Sequence, residues 1–191
     1  MKSKTDLDKG LRVGVFDIET TNLKADYGYM LCICVNELFA DGSHCIHTLR
    51  IDDPRNPDKG NDKWLIRETV KLLNKFDLLV GWNTSGFDFK FVNSRAMKFR
   101  ILPPARKFRR DLLFISRGNL QLRNNRLLTV DEFLNGKALK TFTTPKIHVA
   151  SIRGEKWALD FIVKHCELDV ISTEKVYKRF MPILGKLRKG G

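Results

Sequence analysis

The chain lacks most of the features that would place a protein outside a reducing, aqueous compartment. Its four cysteines, Cys32, Cys34, Cys45 and Cys166, include no CxxC pair. Three of them fall in stretches that read as strands, so buried thiols fit better than a disulfide framework. No apolar run approaches the ~20 residues needed to span a bilayer. The opening MKSKTDLDKG has no apolar signal segment. A cytoplasmic or other intracellular protein with no membrane partner is expected. Internal repeats, linkers and low-complexity blocks are absent as well. Acidic residues are also short: 22 Asp and Glu stand against 35 Lys and Arg, a net charge of +13. That imbalance favours a polyanionic partner, nucleic acid first.

What is present is an ordinary globular composition, 42% apolar and 30% charged over 191 residues. This suits one domain with a full core. The basic excess is uneven. Ten basic residues and a single acid, Asp111, lie between Arg95 and Arg126. A run so one-sided repels itself without an anion, so it is read as phosphate-binding rather than only a solvated face. Arg106, Lys107, Arg109 and Arg110 are its densest part.

Residues 11–18, 29–39 and 44–51 read as three consecutive strands, with the turn ADGS between the second and third. A polar loop at 52–61 precedes an amphipathic helix at 64–76, a short buried strand at 77–83, and a helix opening near Ser85 or Gly86. The proline pair at 103 and 104 breaks the chain. Helices are expected near 111–117 and 126–134, then a loop around GKALKTFTTPK, then helices at about 155–164 and 167–180. The predicted class is α/β, with helices flanking a central mixed sheet built from a three-strand antiparallel meander plus parallel strands.

The first strand ends in FDIET, which sets Asp17 and Glu19 on one face with Ile18 on the other. Two carboxylates side by side at the end of a buried strand repel each other and lose solvation. They call for a counter-charge unless the strand end has already surfaced. Oxygen donors of this kind suit Mg²⁺ or Mn²⁺ better than Zn²⁺, which favours Cys and His. Two later segments add to the pair. GWNTSGFDF at 81–89 carries Asn83 at a strand end, and Asp88 between Phe87 and Phe89 at a helix start. There the acid either complements the helix dipole or points back at the sheet. KHCELD at 164–169 sets His165 four residues before Asp169, stacked one helical turn apart.

In order and spacing, FDIET, GWNTSGFD and HCELD resemble the three motifs of the DnaQ-like, or DEDD, 3′–5′ exonucleases of the ribonuclease H-like superfamily. The second motif and the segment 111–141 are similar to family B DNA polymerase proofreading domains and their stand-alone relatives. The resemblance covers about residues 11 to 180. It implies a ribonuclease H-like fold over residues 11–181, with 1–10 an N-terminal extension and 182–191 a basic tail. It also implies two divalent ions, Mg²⁺ or Mn²⁺, held by Asp17, Glu19, Asp88 and Asp169, with Asp17 bridging them. The chain departs from both subclasses of the family. The position five residues before the last Asp, where one subclass has His, is Lys164. The position four before it, where the other has Tyr, is His165.

His165 would then accept a proton from the attacking water, since an unperturbed imidazole titrates near ~6.5. Asn83, Phe87, the cluster from Arg106 to Arg110 and the tail residues Lys186, Arg188 and Lys189 would hold substrate. Phe89, Tyr27 and Trp82 either stack on bases or pack in the core. Asp111 is expected to cap a helix. The implied substrate is a single-stranded 3′ end, DNA favoured over RNA, and a separate polymerase or replication or repair protein is a candidate partner. A silent nucleic-acid-binding module and a structure-selective endonuclease are the alternatives.

Overall fold

A computed structural model describes residues 10–138, 141–185 and 188–189, the last two for their backbone only. Strands β1 (Val13–Thr20), β2 (Met30–Leu38) and β3 (His44–Arg50) form the expected meander. Helix α1 (Lys63–Leu73) leads to β4 (Leu78–Gly81), and α2 (Asp88–Lys98) to β5 (Phe108–Asp111). Helices α3 (Leu112–Asn119), α4 (Leu127–Asn135), α5 (Pro145–Ile152) and α6 (Lys156–Phe180) follow. A short 3-10 turn and the two-residue strand β6 (Arg188–Lys189) close the chain. The strand order is β3-β2-β1-β4-β5-β6, with β1 antiparallel to β2 and parallel to β4. Among the described residues no helix is long and apolar enough to cross a membrane.

Strand β1 is central and covered on both faces, which explains its nearly continuous burial. Phe16 meets the ring of Phe89 on α2 edge-on, with centroids 5.0 Å apart. The opposite face, with Asp17 and Glu19, looks toward α6. Cys34 pairs with Asp17 in the β1–β2 register, and its thiol lies 4.0 Å from the Val163 carbonyl of α6. The result is a helix–sheet–helix sandwich in which α6 also carries α4 and α5 on its outer side.

Three expectations need correction. The two helices expected near 155–164 and 167–180 are one, α6, because Leu159, Ile162, Cys166, Val170, Thr173, Tyr177 and Phe180 form an unbroken buried stripe. His165 is itself buried beside that stripe. Helix α5 was not anticipated: its first two residues ended the segment read as loop, although Thr144 caps it and Pro145 occupies its first turn. Strand β5 was missed because two of its four residues, Arg109 and Arg110, lack the apolar signature of a buried strand. Most of the expected N-terminal extension lies outside the described residues, as does Lys186 of the tail.

Candidate active site

The site forms where β1 outruns its neighbour. Pairing with β4 ends at Val15↔Val80, so the N–H of Ile18 lies beyond that ladder. The Asp88 carboxylate accepts this proton at 3.1 Å. One backbone bond thus fixes the α2 acid between Asp17 and Glu19. A register shift between Glu19 and Thr20 bends the strand at this point, the kind of bulge that re-aims side chains at a rim. From α6, the thiol of Cys166 donates to the Asp17 carbonyl at 3.3 Å. That contact seats the turn carrying His165 and Asp169 against the strand. His165 Nε2 lies 3.6 Å from Glu19 Oε1 and 3.9 Å from Asp169 Oδ2. Both distances exceed a hydrogen bond, and they become ion pairs when the imidazole is protonated.

The electrostatics of this cluster are one-signed. Burial holds the Asp17 carboxyl well above the usual carboxylate range, and the charges of Asp88, Glu19 and Asp169 push it further. Burial likewise lifts Asp88 to about 7, against its own amide and that of Ile18, with Asp111 adding to the rise. Both acids resist ionisation as they stand, so a cation would relieve them. The four carboxylates are oxygen donors that fit Mg²⁺ or Mn²⁺. Among the described residues no three His, Cys, Asp or Glu side chains converge as a ready metal cage. The fit therefore rests on donor chemistry and charge.

The turn before α2 is held from below. Asn83 adopts φ 63°, a left-handed conformation asparagine tolerates. Its carbonyl accepts from the amides of Gly86 and Phe87, both at 2.9 Å. Its side-chain amide lies against Gly86, where an added Cβ would stand 2.3 Å from Asn83 Oδ1. Asp111 caps α3 as expected, accepting from the Leu113 amide at 3.2 Å. It also accepts from the amides of Asn83 at 2.9 Å and Ser85 at 2.8 Å. That second role clasps the whole turn and has no local signal, because Asn83 and Ser85 lie 28 and 26 residues from Asp111.

The aromatic residues divide. Phe87 is half-buried against Phe91 and lines a groove of about 440 Å³ with Leu23, Lys24, Asp26 and Lys90. Phe89 is core, Tyr27 is exposed and Trp82 is half-buried.

The basic cluster is less open than its sequence implied. Arg106 is exposed and Lys107 half-buried. Arg109 lies over the Phe89 ring at 3.7 Å, and burial lowers its pKa, with Arg106 adding to the effect. Arg110 is buried and donates to the Gly185 carbonyl at 3.0 Å, so it does not present an open phosphate contact. Alternation along β5 sends these two arginines to opposite faces. Arg95 is also removed from the surface, buried against Asp62 and donating to the Ala25 carbonyl at 3.0 Å.

One site residue escaped the sequence reading entirely. Thr141, in the segment expected to be loop, places its hydroxyl 2.8 Å from His165 Nδ1. The partners are 24 residues apart, and a lone threonine in a polar loop carries no local signal.

The family model RNase_H_2, described as RNase_H superfamily, matches residues 15–181. Among solved structures, the family B DNA polymerase of the hyperthermophilic archaeon Pyrobaculum calidifontis superposes with a TM-score of 0.66 at 19% identity. The match covers 90% of this chain and 25% of that one. The chain thus spans about a quarter of the polymerase's length. No curated protein matches. The expected ribonuclease H-like α/β fold and the likeness to the family B polymerase class are borne out.

Proposed function

Because the chain belongs to the ribonuclease H superfamily, we propose that its acid cluster hydrolyses phosphodiester bonds at the 3′ end of single-stranded nucleic acid, DNA favoured. The observation that carries this reading is the mutual influence of acids from β1, α2 and α6: burial raises Asp17, and the charges of Asp88, Glu19 and Asp169 all add to that rise. These four residues would hold two divalent ions, Mg²⁺ or Mn²⁺. When bound, such ions activate water and stabilise charge on the phosphoryl and leaving oxygens.

The remaining work falls to the chain's own groups. His165 accepts a proton at Nε2, the ring nitrogen that faces Glu19 and Asp169. Asp111 keeps the turn at Asn83 and Ser85 in place, and with it the start of α2 and Asp88. Phe87 and the groove beside it offer an apolar wall with Lys24 and Lys90 at hand for a terminal nucleotide. Arg106 and Lys107 hold the backbone without reading sequence. A silent binding module is disfavoured, since buried acids that bind nothing only destabilise the fold. A polymerase or repair protein supplied as a separate chain is the proposed partner.

The test is a 5′-labelled single strand of DNA or RNA incubated with Mg²⁺ or Mn²⁺. A ladder shortening from the 3′ end is expected, and excess chelator should stop it. Cleavage of a circular strand would replace this reading with an endonuclease, and full activity in chelator would remove the metal.

A further inference from the structure

We propose that Thr141 is a positioning residue for His165: its hydroxyl accepts the Nδ1 proton and so leaves the Nε2 lone pair facing the carboxylates. The proposal rests on the nuclease reading above, while the nitrogen shifts decide the state of the ring without it.

The geometry divides the imidazole in two. Nδ1 is 2.8 Å from Thr141 Oγ1, a full hydrogen bond, while Nε2 is turned toward Glu19 and Asp169. A neutral imidazole carries one proton, and the nitrogen that keeps it donates while the other accepts. A threonine hydroxyl can do either. If it accepts, the lone pair is on Nε2, which can take a proton at the acid end of β1. If it donates, Nε2 carries the proton and has nothing to offer there. Only the first arrangement equips His165 as a proton acceptor.

The segment is also held where this bond requires it. It leaves α4 through Gly136, whose φ of 79° ends the helix, and it enters α5 at the Thr144 cap. Both α4 and α5 pack on α6, the helix that carries His165. Thr141, which lies between those two helices in the sequence, meets a ring that is itself buried.

The test compares the parent with Thr141→Ser and Thr141→Val, which keep and remove the hydroxyl at nearly constant size. In ¹⁵N-labelled metal-free protein at about pH 9, well above the ordinary histidine pKa of ~6.5, imidazole nitrogen shifts report the tautomer of His165. The parent and Thr141→Ser should show the proton on Nδ1, and Thr141→Val should lose that preference. With metal and substrate, Thr141→Val should lower kcat roughly 10- to 100-fold, the usual effect of removing an outer partner from a site histidine. KM should hold, and Thr141→Ser should restore the rate. A proton on Nε2 in the parent would overturn the proposal, as would an unchanged ring in Thr141→Val or a loss confined to KM. If the parent has no nuclease activity, the function reading falls while the nitrogen shifts still decide the role of Thr141.

Discussion

Two acids in this molecule are treated in opposite ways. Asp62, at the start of α1, is fully buried and receives the Arg95 guanidinium, with the Met30 amide donating to it at 2.8 Å. The same arginine reaches the Ala25 carbonyl, so one ion pair ties α1, α2, β2 and the loop after β1. Asp17 sits at the end of the central strand, and every charge that perturbs it is another carboxylate. The fold supplies a counter-charge where an acid is structural. At Asp17 the surrounding charges are all of one sign, and on the proposed reading a bound cation supplies the counter-charge.

Exchanging the two cases gives the largest expected effects. Asp17→Ala or Asp169→Ala should abolish nuclease activity while leaving the metal-free protein no less stable, because repulsion is relieved. Arg95→Ala should do the reverse in kind, destabilising by about 3–5 kcal/mol as Asp62 is left buried and unpaired. Denaturant unfolding beside an activity assay separates the two. An Asp17→Ala protein that still cleaves, or an Arg95→Ala protein as stable as the parent, would erase the distinction.

The same contrast shows what the sequence could reveal. Asp17 and Glu19 were legible as a pair because strand spacing decides the face, and Asp88 and Asp169 joined them through the resemblance of their motifs. The meander, β4 and most of the helices were legible from spacing as well. Asp111 on Asn83, Thr141 on His165 and Arg95 on Asp62 join residues 24 to 33 apart, and only the fold brings them together. Charge misled most. Arg95, Arg109 and Arg110 read as surface because arginine usually is, yet one is in a buried pair, one covers a ring and one caps a carbonyl.

A smaller effect should appear in the pH dependence of stability. The folded pKa of Asp88, about 7, lies above that of an unfolded aspartate, near 3.8. The native state therefore holds a proton through that interval that the unfolded chain has released. This contribution is full below about pH 4 and is lost as pH rises through 7, with a limiting slope of about 1.4 kcal/mol per pH unit. Asp88→Asn keeps an acceptor for the Ile18 amide and has no charge to lose. Without metal, it should gain on the parent as pH rises from 5 to 8 in parallel melts. A constant difference across that range would mean that Asp88 is not held neutral by its surroundings.

The smallest effect concerns the basic cluster. Arg106 and Lys107 are the members left open, so removing both should flatten the salt dependence of single-strand binding by about 0.7 per lost contact, alike for all sequences. Arg110→Ala should leave that slope alone and lower stability instead. A slope that falls only with Arg110→Ala would reverse the assignment.

The counter-charge itself can be measured without any substrate. The melting midpoint of the parent, followed at pH 8 as Mn²⁺ is raised from micromolar to millimolar, should climb steadily, since an ion that binds only the folded protein stabilises it by mass action. Asp17→Asn and Asp169→Asn should melt at nearly the same temperature throughout the titration. A parent midpoint that does not move, or one that rises equally in both variants, would contradict the claim that the acids at the end of β1 await a metal.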